Sequence, residues 1–139
     1  MAEGLHLTED PIDPGAMAAR IVGGEDGAVA TFTGVVRNHH HGKEVLWLEY
    51  EAYEEMAEKQ IDGLITEASR RWPISQVAVR HRLGHLDIGE VSVAIAVAAP
   101  HRAEALEACR WLIDTLKAEV PIFKKEAYAG GEVWVDDHE

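Results

Sequence analysis

"EVSVAIAVAAPHRAEALEACRWLIDTLKAEVPIFKKEAY", Glu90 to Tyr128, is the stretch whose reading decides the fold. Val91, Val93, Ile95 and Val97 occupy alternate positions with small residues between them, the period of a β-strand whose second face permits close packing of a helix. Pro100 breaks that strand. From His101 to Val120, Ala105, Leu106, Cys109, Leu112, Ile113 and Leu116 recur at helical spacing, and Pro121 ends the element. "IFKKEAY", Ile122 to Tyr128, then returns to strand character.

Working outward, Asp13 before Pro14 reads as an N-cap with a first-turn proline, and Gly23-Gly24 suits a C-cap, so Pro14 to Val22 is predicted helical. "GAVATFTGVVR", Gly27 to Arg37, is rich in β-branched residues, and "EVLWLEYEAY", Glu44 to Tyr53, follows it across the polar "NHHHGK". The two are read as a hairpin with a mobile tip. Between Glu54 and Trp72, Met56, Ile61, Leu64, Ile65, Ala68 and Trp72 mark a second helix stopped by Pro73. "QVAVRHRLG", Gln76 to Gly84, pairs with the Glu90 strand around "HLDIGE", and Gly130 turns "EVWV" back on the last strand. The resulting order, α, β, β, α, β, β, α, β, β, predicts an α+β fold with helices against a largely antiparallel sheet. Residues 1–139 read as one domain, with an N-terminal segment over 1–26 and an acidic tail over 136–139.

At 139 residues and 47% hydrophobic content the chain can bury a real core. No run of about 18 apolar residues is present to span a bilayer, and the start lacks the basic-then-apolar order of a secretion signal, which predicts a cytosolic location and no membrane partner. Against 13 basic side chains stand 25 acidic ones, a net charge of -12, so the long-range field repels nucleic acid and anionic lipid. The lone Cys109 excludes an internal disulfide and a multi-cysteine zinc site, and its place on the helical stripe puts it in the core. Trp47, Tyr50, Tyr53, Trp72 and Trp111 most simply supply core area.

In so acidic a chain, clustered cations mark where an anion or a reacting carbonyl is bound. Three of the five lysines fall within "LKAEVPIFKKE", Leu116 to Glu126. Lys117 closes a helix and Lys124 and Lys125 open a strand, so a tight reversal brings Lys117 near one of that pair, because successive strand residues face opposite sides. His101 and Arg102 stand at a helix start, where free N–H groups and the dipole favour phosphate. Arg37, at a strand end before a polar loop, is a further ligand candidate. His39, His40 and His41 read as a solvated loop, since consecutive residues cannot all face one ion and no metal-ligand partner accompanies them. None of Ser69, Ser75 and Ser92 sits in a nucleophile elbow, and no phosphate-cradling glycine motif occurs. The residues alone leave open a non-catalytic anion-binding module and a lysine Schiff-base enzyme, the latter needing a desolvated lysine of lowered pKa.

Taken together, "GAVATFTGVVRN", "LEYEAYEEMA", "RWPISQVAVRHRLGHLDIGE", "HRAEALEACRWLIDTLK" and "PIFKKE" resemble the large, catalytic subunit of molybdopterin synthase, five blocks in that family's order over nearly all of Gly27 to Val135. Phe123 departs from the tryptophan usual there. The resemblance implies an α/β hammerhead-like fold with a small β subdomain, and a sulfurtransferase of molybdenum cofactor biosynthesis that converts cyclic pyranopterin monophosphate to molybdopterin. The residues themselves point to no metal and no bound cofactor. Sulfur would come from the C-terminal Gly-Gly thiocarboxylate of a small ubiquitin-like partner subunit, within a heterotetramer built on a homodimer of the large chain. The positions it marks for the pterin are Val35, Val36, Arg37, His101, Arg102, Lys117, Lys124, Lys125 and Glu126, with Lys117 and Lys124 catalytic.

Overall fold

The computed structural model of the chain describes residues 5–135, so the acidic tail and the first four residues of the N-terminal segment lie outside it. In chain order the elements are β1 (Leu7–Thr8), α1 (Pro14–Ile21), β2 (Ala28–Val35), β3 (His39–His40), β4 (Lys43–Glu44), β5 (Trp47–Ala52), α2 (Glu54–Arg71), β6 (Gln76–Arg82), β7 (Gly84–Asp87), β8 (Val91–Ala99), α3 (Arg102–Glu119), β9 (Ile122–Tyr128) and β10 (Gly131–Val135). They form two four-stranded sheets, β1-β6-β8-β2 and β10-β9-β5-β7, and a small β3-β4 ribbon. Among the described residues only the β1-β6 pairing is parallel.

β8 organises the first sheet. Almost every one of its residues is buried, so both faces need cover and it must be central rather than an edge. Val93, Ile95 and Val97 meet Ala105, Ala108 and Leu112 of α3 in the main core, while Ala96 and Ala98 receive Ile21 of α1 on the other face. The small residues of β8 thus permit the close helix packing expected from the sequence. α1 begins as its cap requires, with the Asp13 carboxylate accepting the Ala16 N–H at 3.1 Å, but it ends at Ile21 with Val22 extended, so Gly23-Gly24 is no C-cap.

The predicted β2–β5 hairpin does not form. β2 pairs along its whole length with β8, and β5 lies between β7 and β9 in the other sheet. The demand of β8 for a partner on each edge outweighs the short sequence separation of β2 and β5. Gly84, at φ 85°, bends the "QVAVRHRLG" strand from the first sheet into the second, a conformation that favours glycine. Met56 and Leu106, assigned to the helical stripes by spacing, are exposed, and Ala57 and Ala108 are buried beside them, because alanine lets the helices approach the sheets closely. Tyr53 is likewise exposed, unlike Tyr50, and supplies no core area. Leu48, Tyr50 and Leu86 of the second sheet share one core with Leu116 and Val120 at the far end of α3, which joins the sheets at the turn into β9.

Candidate functional site

Lys117 lies half-buried in the last turn of α3, where a cation complements the carbonyl end of the helix. Val120 donates its N–H to the Leu116 carbonyl at 3.0 Å, and Pro121 then starts the descent into β9. On β9 the strand period separates the paired lysines as expected. Lys124 sits opposite Tyr50 and Glu126 opposite Leu48, both on the core face, whereas Lys125 pairs with Glu49 and Trp134 on the outer face. Lys124 is therefore the one of the pair that shares the side of the α3 terminus.

The two lysines have different electrostatic settings. The Lys125 ammonium lies 3.5 Å from Glu49 and 3.4 Å from Glu132, and 5.4 Å over the Trp134 ring. Partial desolvation would lower its pKa, but these carboxylates outweigh it and raise it, so Lys125 is held as a cation and is a poor Schiff-base amine. Lys124, with its side chain 13% exposed, lies 3.6 Å from Oε2 of Glu126. Glu126 is 3% exposed. Burial would push its carboxyl up, but hydrogen bonds donated by the Tyr128 hydroxyl and by His40 Nδ1, the latter at 3.0 Å, together with the positive charge of Lys124, hold it below the usual carboxylate range. The same bond pushes the Tyr128 hydroxyl up to about 12.

This arrangement corrects the reading of "NHHHGK" as a solvated tip. β3 and β4 make a two-residue hairpin whose turn, His41 and Gly42, takes φ values of 51° and 78°, and the turn directs His40 into the protein at 5% exposure. His39 remains exposed, and His41 stacks on His40 with ring centroids 3.9 Å apart. The signal for this network was present at alternate positions 124, 126 and 128 of β9, where Lys, Glu and Tyr occupy the phase that faces the core. Polar residues on a buried phase must find one another.

Arg37 follows the end of β2 and is exposed, as is Val35, while Val36 is buried and bonded through its backbone to Glu90 at 2.9 Å and Gly89 at 2.8 Å. Sequence reasoning missed what braces that turn. Arg82, buried at the bend between the sheets, reaches Glu90 at 3.5 Å and the His85 carbonyl at 3.4 Å, and Glu90 accepts the Asp87 N–H at 2.7 Å.

His101 and Arg102 lie at the opposite end of α3, both exposed, and His101 makes no side-chain cap. The backbone donors of the first turn thus keep their affinity for an anion, although Glu104 in that turn already supplies one negative charge. Gly27 approaches closely here: a Cβ would lie 2.5 Å from the Pro100 carbonyl oxygen. Fifteen residues of helix separate Arg102 from Lys117, about 22 Å at the helical rise. β2 confirms the separation, because Ala28 lies opposite Ala99 while Val35 lies opposite Val91, which sends Arg37 to the lysine end. One chain therefore gathers Arg37, Lys117, Lys124 and Glu126 at one end and leaves His101 and Arg102 at the other.

Cys109 is buried, and desolvation pushes its thiol up to about 11, so it is no thiolate nucleophile at neutral pH. Among the described residues no helix is long and apolar enough to cross a membrane, and no group of three His, Cys, Asp or Glu side chains could hold a metal ion.

The profile of the MoaE protein family matches residues 7–119. A molybdopterin synthase catalytic subunit from Arabidopsis thaliana is 51% identical over 113 residues, 81% of this chain and 57% of the plant protein, so the chain spans little more than half of that relative. The crystal structure of molybdopterin synthase from Staphylococcus aureus matches with a TM-score of 0.89 at 36% identity, over 94% of this chain and 96% of that one. A protein-protein complex of subunits 1 and 2 of molybdopterin-converting factor from Helicobacter pylori contains the same fold, with a TM-score of 0.76 at 19% identity over 96% of this chain and 91% of that one.

Proposed function

The chain belongs to the MoaE protein family, and from that footing we propose that it is the catalytic subunit of a molybdopterin synthase, transferring sulfur to cyclic pyranopterin monophosphate. The observation that carries this reading is the placement of two half-buried lysines, Lys117 at the end of α3 and Lys124 on the core face of β9 that follows it, in a chain whose overall field repels anions. Such a site suits two anions at once, a substrate phosphoester and a thiocarboxylate.

The sulfur comes from outside the chain, because the single thiol is buried and protonated. Its donor is the C-terminal Gly-Gly thiocarboxylate of a small ubiquitin-like subunit, a tail with no side chains to obstruct its passage between packed lysine stems. After the thiocarboxylate sulfur has bonded to the pterin, water adds to the acyl carbon, and Lys117 and Lys124 stabilise the oxyanion of that adduct. Collapse of the adduct breaks the acyl C–S bond to leave sulfur on the pterin and a carboxylate on the tail, while Arg37 closes on the pterin from the end of β2. A dithiolene has two sulfurs, so two charged tails must visit in turn.

His101 and Arg102 hold the phosphate. Their distance from Lys117 within one chain supports a pocket completed across a homodimer, with the helix start of one protomer facing the lysines of its partner, and a small subunit bound to each large one. Turnover of the cyclic pterin with a thiocarboxylated partner tests the assignment. Lys117→Ala is expected to abolish most dithiolene formation while the fold persists, since a cation at a helix end contributes only about 0.3–1 kcal/mol. Near-normal turnover by that variant would sink the proposal.

A further inference from the structure

We propose that His40 and Tyr128 are positioning residues for Lys124, acting through Glu126. The inference rests on the reading of Lys124 as catalytic and extends it to two side chains outside the pocket positions considered above. Glu126 has two oxygens, and the structure divides their work. Oε1 accepts both the Tyr128 hydroxyl and His40 Nδ1, the latter at 3.0 Å, while Oε2 faces the Lys124 ammonium at 3.6 Å. An ionised carboxylate has no hydrogen to give, so His40 carries its proton on Nδ1 and donates it.

A carboxylate at 3% exposure with no such donors would take up a proton and release its lysine, because burial disfavours the charged form. The two donors oppose that. They also fix the carboxylate plane, which sets where the Lys124 ammonium rests. A core His–Glu pair of purely structural worth would not require the means by which this one is delivered: a two-residue turn with both residues at positive φ directs His40 inward, and Glu126 and Tyr128 stand on the same phase of β9 as Lys124 itself. Buried ionic groups are weak contributors to stability, and fixing a geometry is their better-attested use.

The expected behaviour separates hydrogen bonding from packing. In the assembled synthase, His40→Leu and Tyr128→Phe should each lower the single-turnover rate of sulfur transfer about tenfold to a hundredfold, the effect of losing a charge-assisted hydrogen bond. His40→Gln keeps an N–H donor and should stay within about threefold of wild type. KM for the pterin and binding of the small subunit should barely move in any of them. Wild-type rates for both His40→Leu and Tyr128→Phe overturn the proposal, and so does a His40→Gln variant as slow as His40→Leu, which would assign the loss to packing. Should His40→Leu fail to fold, Tyr128→Phe, which removes one hydroxyl, decides the matter alone. Lys124→Ala, assayed alongside, keeps the two levels apart: near-normal activity there refutes the functional reading itself, whereas an inactive Lys124→Ala with unimpaired His40 and Tyr128 variants refutes only this inference.

Discussion

A pocket shared between protomers can be tested by complementation. Arg102→Ala and Lys117→Ala each damage both sites of a homodimer, but they damage different halves of each site if the phosphate end of one chain faces the lysine end of the other. A hybrid dimer of the two variants then has one site with both defects and one with neither. Within a single chain the two positions stand about 22 Å apart along α3, far beyond the reach of one small pterin, so geometry alone disfavours an intramolecular site. Random mixing yields hybrids as half of all dimers, each with one intact site of two, and should restore about a quarter of the wild-type rate; hybrids isolated with two affinity tags should restore about half. Co-expressing the variants with the small subunit and measuring dithiolene formed per large chain provides the readout. Homodimers of either variant serve as the baseline. If purified hybrids are no more active than that baseline, the shared pocket is wrong and His101 and Arg102 have no part in a site with Lys117.

Three further outcomes are expected. Cys109→Ala should keep sulfur transfer within a few-fold of wild type, and native protein at pH 8 should resist alkylation, because a buried thiol held near 11 is almost wholly protonated; rapid labelling with loss of activity would contradict this. Gly27→Ala should cost roughly 1–3 kcal/mol of stability by thermal or denaturant unfolding and weaken pterin binding, since the new methyl meets a backbone oxygen of the turn that presents His101. Glu126, whose carboxyl is held below the ordinary value of about 4.3, contributes stability that is present above that value and lost as the pH falls through its lowered folded pKa. The melting-temperature gap between wild type and Glu126→Gln should thus be open at pH 7 and close in acid, and a gap that stays constant down to about pH 3 would count against the ionised carboxylate.

Much of the scaffold was legible because it is decided locally. The alternation of β8, the period of α3, the proline breaks around it and the glycine turn into β10 each follow from a few neighbouring residues, and each stands in the structure. What was illegible depends on residues far apart in sequence. β2 and β5 look like a hairpin because only a short polar loop divides them, yet the choice is made by β8, some sixty residues on, which is apolar on both faces and must be flanked on both sides. β1, two residues long, has no local pattern to announce it; its place is fixed by Glu58 on α2, whose carboxylate accepts the N–H groups of His6 and Leu7 at 2.9 Å each. His40 was hidden for a related reason, since a polar triplet in a loop reads as solvated until its buried carboxylate is located 86 residues later.

The same distinction explains why two adjacent lysines should have different tasks. Lys125 is held between Glu49 and Glu132 on an exposed face, so its charge is neutralised twice and screened by water and salt. Lys124 lies 3.6 Å from one oxygen of Glu126, a carboxylate that already shares its charge with the donors on its other oxygen. In the proposed transfer, an anion arriving beside Lys124 would meet an ammonium whose neighbouring carboxylate is also drawn toward the donors on its other oxygen, in surroundings where water competes little. Adding or removing a donor at His40 or Tyr128 would thus change how strongly Glu126 offsets Lys124, and with it how much of the positive field of Lys124 would reach the carbonyl of the proposed reaction.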